Sequence, residues 1–217
     1  MDHDYRTLLW DEVDDIGALL HDLERQEWDA PSLCEGWRVR DVVGHMEYGH
    51  TRHLGGAALD LVRQRFDLVA GSSALSVEWA TRHRPDELLA IWDHDLVEVR
   101  TRRGVSRFVK WPAALVDHLI HHQDMRRPLG RARTIPPERL RAALDALGLI
   151  HSPLFDTRDR VEGFRLVATD LDWSRGAGPE VAGPAEALLL AAGGRSVAYA
   201  DLDGAGLAAF VGAASLR

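Results

Sequence analysis

The run Asp117-His118-Leu119-Ile120-His121-His122-Gln123-Asp124 limits what this chain can become, because three imidazoles and two carboxylates crowd into eight residues. Read as helix, it sets Asp117 against His121 and His118 against His122, each pair one turn apart on a shared face. Either pair can grip one ion, but a two-ligand helix needs a third ligand from elsewhere. The segment Gly44-His45-Met46-Glu47, with His50 and His53 beyond it, is the obvious donor. The residues therefore point to a metal site built between two helices. Periodicity alone does not choose the ligands. The apolar stripe Leu115, Val116, Leu119 and Ile120 has Asp117, His121 and Asp124 along one edge and His118 and His122 along the other. In the donor segment His50 and His53 lie nearer the apolar stripe than His45 does.

Apolar residues recur at helical spacing from Tyr5 to about Glu27 (Leu8, Leu9, Val13, Ile16, Leu19, Leu20, Leu23), which predicts a first helix ending near Trp28. Asp29 to Trp37 reads as a connector punctuated by Pro31 and Gly36. A second helix starts near Val39 and carries Val42, Val43 and Met46. Gly55-Gly56 should break or bend it, a helical pattern resumes over 57–70, and Gly71-Ser72-Ser73 reads as looser chain. Arg84-Pro85-Asp86-Glu87 has the proline and acids of a helix start, and that third helix ends before Gly104. Val105 to Lys110 reads as extended. Pro112 opens the fourth helix, and Pro128-Leu129-Gly130 stops it. Four helices of this size make a bundle, and bundle cores commonly hold metal sites between facing helices.

A further helix begins at Pro136-Pro137-Glu138-Arg139. After Gly148 the character changes. Gly163 to Asp170 is strand-like, Ser174 to Gly178 a turn, Ala185 to Ala192 a helix ended by Gly193-Gly194, Ser196 to Ala200 a strand, and Ala205 to Leu216 a final helix. The expected fold class is α+β, with a helical-bundle domain over 1–148 and a small α/β domain over 149–217.

Composition narrows the partners. The 217 residues are 46% hydrophobic, enough for a substantial core, and carry a net charge of -8 without a long basic run, which argues against nucleic acid. Arginines gather at Arg100, Arg102, Arg103 and Arg107 and again at Arg126, Arg127, Arg131 and Arg133. They read either as solvated helix ends or as an anion-receptive rim for a carboxylate ligand. Cys34 is the single cysteine, so no internal disulfide forms, which suits a reducing compartment. It reads as a packed residue beside Trp37, with nothing nearby in sequence to activate it. Trp28 and Trp37 read as packing residues. The acidic, polar start is not a signal peptide, and no apolar run reaches the roughly 18 to 20 residues of a membrane span. The expectation is a cytoplasmic protein with neither membrane nor nucleic-acid partners.

The stretch Trp28-Asp29-Ala30-Pro31-Ser32-Leu33-Cys34-Glu35-Gly36-Trp37-Arg38-Val39-Arg40-Asp41-Val42-Val43-Gly44-His45 resembles the opening of the mycothiol-dependent maleylpyruvate isomerase family, within the DinB-like superfamily of metal-binding four-helix bundles. An acid and a histidine four residues apart, then an aspartate and arginine, form the family's second hallmark; Asp117, His121 and Asp124 are similar to it, with Arg126 and Arg127 behind. Gly183-Pro184-Ala185 and Gly194-Arg195 resemble the marks of a sterol-carrier-like C-terminal α/β unit. The resemblance implies His45, Asp117 and His121 as ligands of a divalent metal, most simply zinc. It implies Asp124 as a residue that holds an imidazole tautomer, and Arg195 as a catalytic-site arginine pairing with a substrate carboxylate. The acid is more often Glu in the superfamily. Asp reaches about 1.5 Å less far, so the ion must shift or be held more weakly on that side. His118 and His122 are left as surface or partly packed residues.

The function this implies is a transferase or isomerase that uses a low-molecular-weight thiol, mycothiol, whose metal-activated thiolate attacks a small electrophile. The same residues leave room for a non-catalytic small-molecule or lipid-binding protein of this fold, and for a DinB-like metal hydrolase.

Overall fold

Asp4 starts the first helix. Its carboxylate accepts from the Thr7 N–H at 3.1 Å and the Thr7 hydroxyl at 2.8 Å, satisfying a donor the helix start leaves open. The computed structural model describes residues 3–63, 68–152 and 155–215. Helix α1 (Tyr5–Asp22) buries Leu9, Val13, Ile16, Leu19 and Leu20, the stripe its sequence promised, but ends before Glu27, where a short 3-10 turn (Glu27–Asp29) follows. At α2 (Val39–Thr51) the Asp41 carboxylate accepts the Arg38 N–H at 2.9 Å and pairs with its guanidinium, fixing where the helix begins.

Two expected breaks fall elsewhere. The chain breaks at Arg52 and His53, so Gly55 and Gly56 lie inside α3 (Leu54–Arg63). Gly71-Ser72-Ser73 lies inside α4 (Leu68–Arg82), which packs along α2. Tertiary contact outweighs the weak local propensity of glycine and serine here. The approach is close: a Cβ on Gly44 would stand 2.9 Å from both the Ala80 Cβ and the Ser76 carbonyl. Helix α5 (Pro85–Ile91) runs into a π-helical stretch (Trp92–Glu98). Residues Val105–Phe108 form a 3-10 turn rather than extended chain, because the Arg103 and Gly104 N–H groups dock on the His50 carbonyl at the end of α2. Helix α6 (Trp111–Arg126) closes the bundle, packing against α1 and α2.

The chain divides into two compact units, 4–132 and 133–217, residues 1–3 joining the second. Helix α7 (Pro137–Ala146), placed in the first domain by the 1–148 reading, packs on α9 (Ala185–Ala192) of the second unit. That unit has a three-stranded sheet of order β2-β1-β3. Strand β1 (Arg165–Ala168) pairs antiparallel with β2 (Ser174–Gly176) and parallel with β3 (Glu180–Gly183). A short helix α8 (Arg158–Val161) precedes β1, while α9 and α10 (Leu207–Ser215) follow β3. The stretch expected to be a turn supplies β2, and the turn itself falls on Ala177 and Gly178. Ser196–Ala200, expected as a strand, lies in a 3-10 helix (Ser196–Asp201) that buries Ala198. The fold is α+β, as expected.

Buried histidines give this bundle an acid limit. Burial, the neighbouring His118 and the nearby Arg102 push the His50 pKa down to about 3, against the help of its bond to the Thr101 carbonyl. The unfolded imidazole takes its proton near 6.5, so the stability His50 contributes is present above that pH and lost as pH falls toward 3. Buried Glu47 acts in the opposite sense, because burial raises its pKa. A difference measurement therefore isolates His50. Urea unfolding at pH 7 and pH 5 should show His50→Gln losing about 2 kcal/mol less than the parent over that interval; equal losses would remove His50 from the account.

Candidate metal centre

The three side chains singled out by the resemblance come together. Ligand atoms of His45 on α2 and of Asp117 and His121 on α6 lie within 4.8 Å of one another. Asp117 Oδ1 stands 3.5 Å from His121 Nε2, and the two imidazole rings have centroids 4.9 Å apart. Donors about 2 Å from a tetrahedral ion are roughly 3.3 Å from each other, so the Asp117–His121 spacing fits an ion to within a few tenths of an ångström. The shorter aspartate side chain thus comes within ion-sharing distance of His121.

Neighbouring groups select which imidazole nitrogen faces the gap. Asp124 Oδ2 lies 2.9 Å from His121 Nδ1, so the carboxylate holds the proton there and leaves Nε2 turned toward Asp117. His45 Nδ1 lies 3.1 Å from Ser76 Oγ on α4, which serves that ring in the same way. Burial by itself would lower the His121 pKa. The Asp117 charge, the Asp124 hydrogen bond and the Cys34 contact outweigh it and lift the pKa to about 10. Without an ion the imidazole is therefore a cation near neutrality, and an incoming metal ion must displace that proton.

Trp37 forms a wall. Its ring stacks over His121 at 6.5 Å and 16° and tilts over His45 at 5.4 Å, while its Nε1 donates to Ser73 Oγ at 2.9 Å. The loop that carries it turns at Gly36 (φ +75) and is closed by the Ser32 N–H on the Trp37 carbonyl. The same loop places Cys34, whose thiol donates to Asp124 Oδ2 at 3.1 Å with Sγ 3.8 Å from His121 Nδ1. Sequence distance hid that arrangement, since Cys34 and Asp124 are far apart in the chain. Cys34, His121 and Asp124 also form a group of metal-binding type. Its Asp124, fully buried, is already engaged by the imidazole and the thiol, which favours the open side at His45 and Asp117.

His118 and His122 are not surface residues: both are buried, at 3% and 0% exposure. His122 Nδ1 donates to the buried Glu12 on α1 at 2.7 Å, and its Nε2 accepts from Arg126 Nε at 2.8 Å. Those two bonds fix it as neutral and lock α6 to α1. His118 bonds the Ala114 carbonyl through Nδ1 and packs edge-on to His50 at 5.3 Å. Polar residues along an apolar edge look solvated in a sequence, and only the partners reveal otherwise.

Several arginines read as a possible anion rim are tied internally: Arg126 to His122, Arg131 to Glu27 and Asp22, and Arg100 to Asp14. Trp28 is a core residue at 3% exposure, as read. Arg195 lies in the second unit, where its Nη1 donates to the Gly193 carbonyl at 2.6 Å. That unit also groups His151, Asp156 and Asp159 at its surface, with His151 Nδ1 2.5 Å from Asp156 Oδ2.

Comparison with known proteins bears on both units. Two solved structures, a mycothiol-dependent maleylpyruvate isomerase and the same enzyme with a histidine replaced by alanine, match with a TM-score of 0.60. Each is 16% identical, with 93% of this chain and 92% of the other covered, a likeness of fold. No protein of curated function matches the chain. The family model described as the mycothiol maleylpyruvate isomerase N-terminal domain matches residues 9–126, more than half of the 217-residue chain and the stretch that holds His45, Asp117 and His121. The chain belongs to the mycothiol maleylpyruvate isomerase N-terminal domain family.

Proposed function

We propose that the protein is an enzyme that holds one divalent ion, zinc by the nature of its donors, on His45, Asp117 and His121. It would use mycothiol as its thiol cosubstrate against a small electrophile, as an isomerase or S-transferase. The observation that carries this reading is the convergence of two imidazoles and a carboxylate beneath an indole wall, inside the family-matched stretch. Two His and one carboxylate suit a catalytic zinc-type ion with a coordination position left for an exogenous ligand.

An ion bound there supplies Lewis acidity that makes a thiol ionise at neutral pH. The chain's own residues do the remaining work. Asp124 and Ser76 hold the ring protons of His121 and His45 away from the ligand face. Trp37 shields both rings from water, which strengthens electrostatic interactions beneath it. The thiolate sulfur would add to an electrophilic alkene carbon of the substrate, breaking the π bond and sending its electron pair into the conjugated carbonyl as an enolate. Rotation about the resulting single bond and expulsion of the thiolate would re-form the double bond as its isomer, whereas protonation of the enolate carbon by solvent would leave an S-conjugate. Arg195 is proposed as the cation that pairs with a substrate carboxylate, on the strength of the Gly194-Arg195 motif and the planar fork of guanidinium.

The first test is a metal count with a thiol screen. Purified protein should carry about one transition-metal ion per chain, and His45→Ala should lose it. Metal-loaded protein should turn over maleylpyruvate or a related electrophile with mycothiol and not without it. Turnover lacking any thiol requirement would instead make it a hydrolase, and absence of both metal and turnover would make it a binding protein.

Asp124→Asn separates positioning from charge. Measured at pH 9, where the His121 proton competes less with the ion than at neutrality, zinc affinity should fall about 10- to 100-fold, as losses of such supporting groups generally do. At lower pH the deficit should narrow, because the weaker acceptor also releases the His121 proton more readily. Unchanged affinity at pH 9 would show the imidazole is oriented by other means.

Arg195→Lys should raise KM for a carboxylate-bearing substrate at least several-fold while sparing metal content. An unchanged KM would remove Arg195 from substrate recognition.

A further inference from the structure

The second unit contains a cavity of about 480 Å³, lined by residues of that unit alone. Its volume lies in the range of small-molecule sites, roughly 300 to 1,000 Å³. Leu147 beyond α7, Leu166 on β1 and Trp173 before β2 give it apolar walls, and all three are buried. Trp173 is held in place by its Nε1 hydrogen bond to Asp145 Oδ1 at 2.8 Å, so this wall is fixed. The charges around the cavity are unequal. Arg158 and Arg175 both line it with side chains 48% exposed, against one lining carboxylate, Glu162.

The ion-pair partners of those arginines are distant. Arg158 Nε is 3.6 Å from Asp159 Oδ1, and Arg175 Nη1 is 3.9 Å from Asp145 Oδ1, although Arg175 also donates to the Asp145 carbonyl. Each guanidinium has five N–H donors in a planar fork that matches a carboxylate. The lining thus combines buried apolar surface with cationic donors that retain bonding capacity.

We propose that this cavity is a binding site for a small amphipathic acid, with an apolar body against Leu147, Leu166 and Trp173 and its carboxylate on Arg158 and Arg175. It is separate in sequence and chemistry from the metal centre and does not depend on the thiol reaction. Charge complementarity names the occupant, since two lining arginines against one lining carboxylate favour an anionic head group over a neutral one.

Gly148 provides a clean way to fill the space. It lines the cavity, and a Cβ built on it meets nothing within 4 Å, so a larger side chain enters open space without a backbone clash. The experiment titrates the full-length protein with 1-anilinonaphthalene-8-sulfonate, then displaces it with 2-naphthoate and with the neutral 2-naphthalenemethanol. The expected result is one dye per chain, displaced better by the acid than by the alcohol. The double variant Arg158→Glu/Arg175→Glu should weaken dye and acid at least tenfold but the alcohol less than twofold. Gly148→Trp should abolish binding of all three compounds, with unchanged circular dichroism as the check on folding. His45→Ala should bind as the parent does, so failure of the metal reading leaves this result intact. The proposal is overturned if Gly148→Trp binds dye normally, which would place the dye elsewhere. Equal losses of acid and alcohol in the arginine variant, or equal displacement by the two in the parent, would overturn it as well.

Discussion

The buried carboxylate of Asp124 ties the candidate centre together. One of its oxygens receives the His121 Nδ1 and the Cys34 thiol, and its backbone carbonyl receives the Leu33 N–H at 3.0 Å. A carboxylate with no exposed surface is costly to bury unless donors surround it. Helix α6 supplies one such donor in His121 and the loop carrying Cys34 and Trp37 another in the Cys34 thiol, so satisfying Asp124 also seats the loop against α6. Imidazole orientation, loop position and indole wall are therefore aspects of one hydrogen-bonding problem, whose solution leaves a ligand-shaped gap on the far side of His121.

Helix α6 solves three such problems at once. His118 faces the end of α2, His121 faces the centre, and His122 faces Glu12 on α1. The Glu12–His122–Arg126 chain places one acid and one guanidinium around a neutral ring, so the buried set carries compensated charge. That arrangement resists rotation of α6: turning the helix would break a fully buried hydrogen bond between His122 and Glu12, which costs about 1–3 kcal/mol or more when a charge is left behind. The metal-type group thus stands on a helix whose facing is set by a different residue, one position along.

Much of this was legible in the sequence. Asp117 and His121 stand out because helical spacing puts them on one face, and the apolar stripe of α1 reads cleanly because few polar residues interrupt it. The choice of His45 over His50 was not available from periodicity; it required the family resemblance. His118 and His122 read as surface or partly packed because their partners, His50 and Glu12, lie on other helices, and no local pattern records a contact across a bundle. The second unit was harder. Its strands are three or four residues long, too short for alternation to register, and Ser196–Ala200 has strand-like composition yet folds within a 3-10 helix.

The bare backbone contact at Gly44 has a mechanical meaning. With no side chain on Gly44 to hold them apart, α2 and α4 ride together, as α1 and α6 do through His122 and Glu12. One arm of the donor set belongs to the first couple and two arms to the second. The width of the gap is then a caliper reading of how the couples are spaced. Sliding one past the other would change the bite of the site, and with it the ionic radius it prefers, while every donor stayed in place.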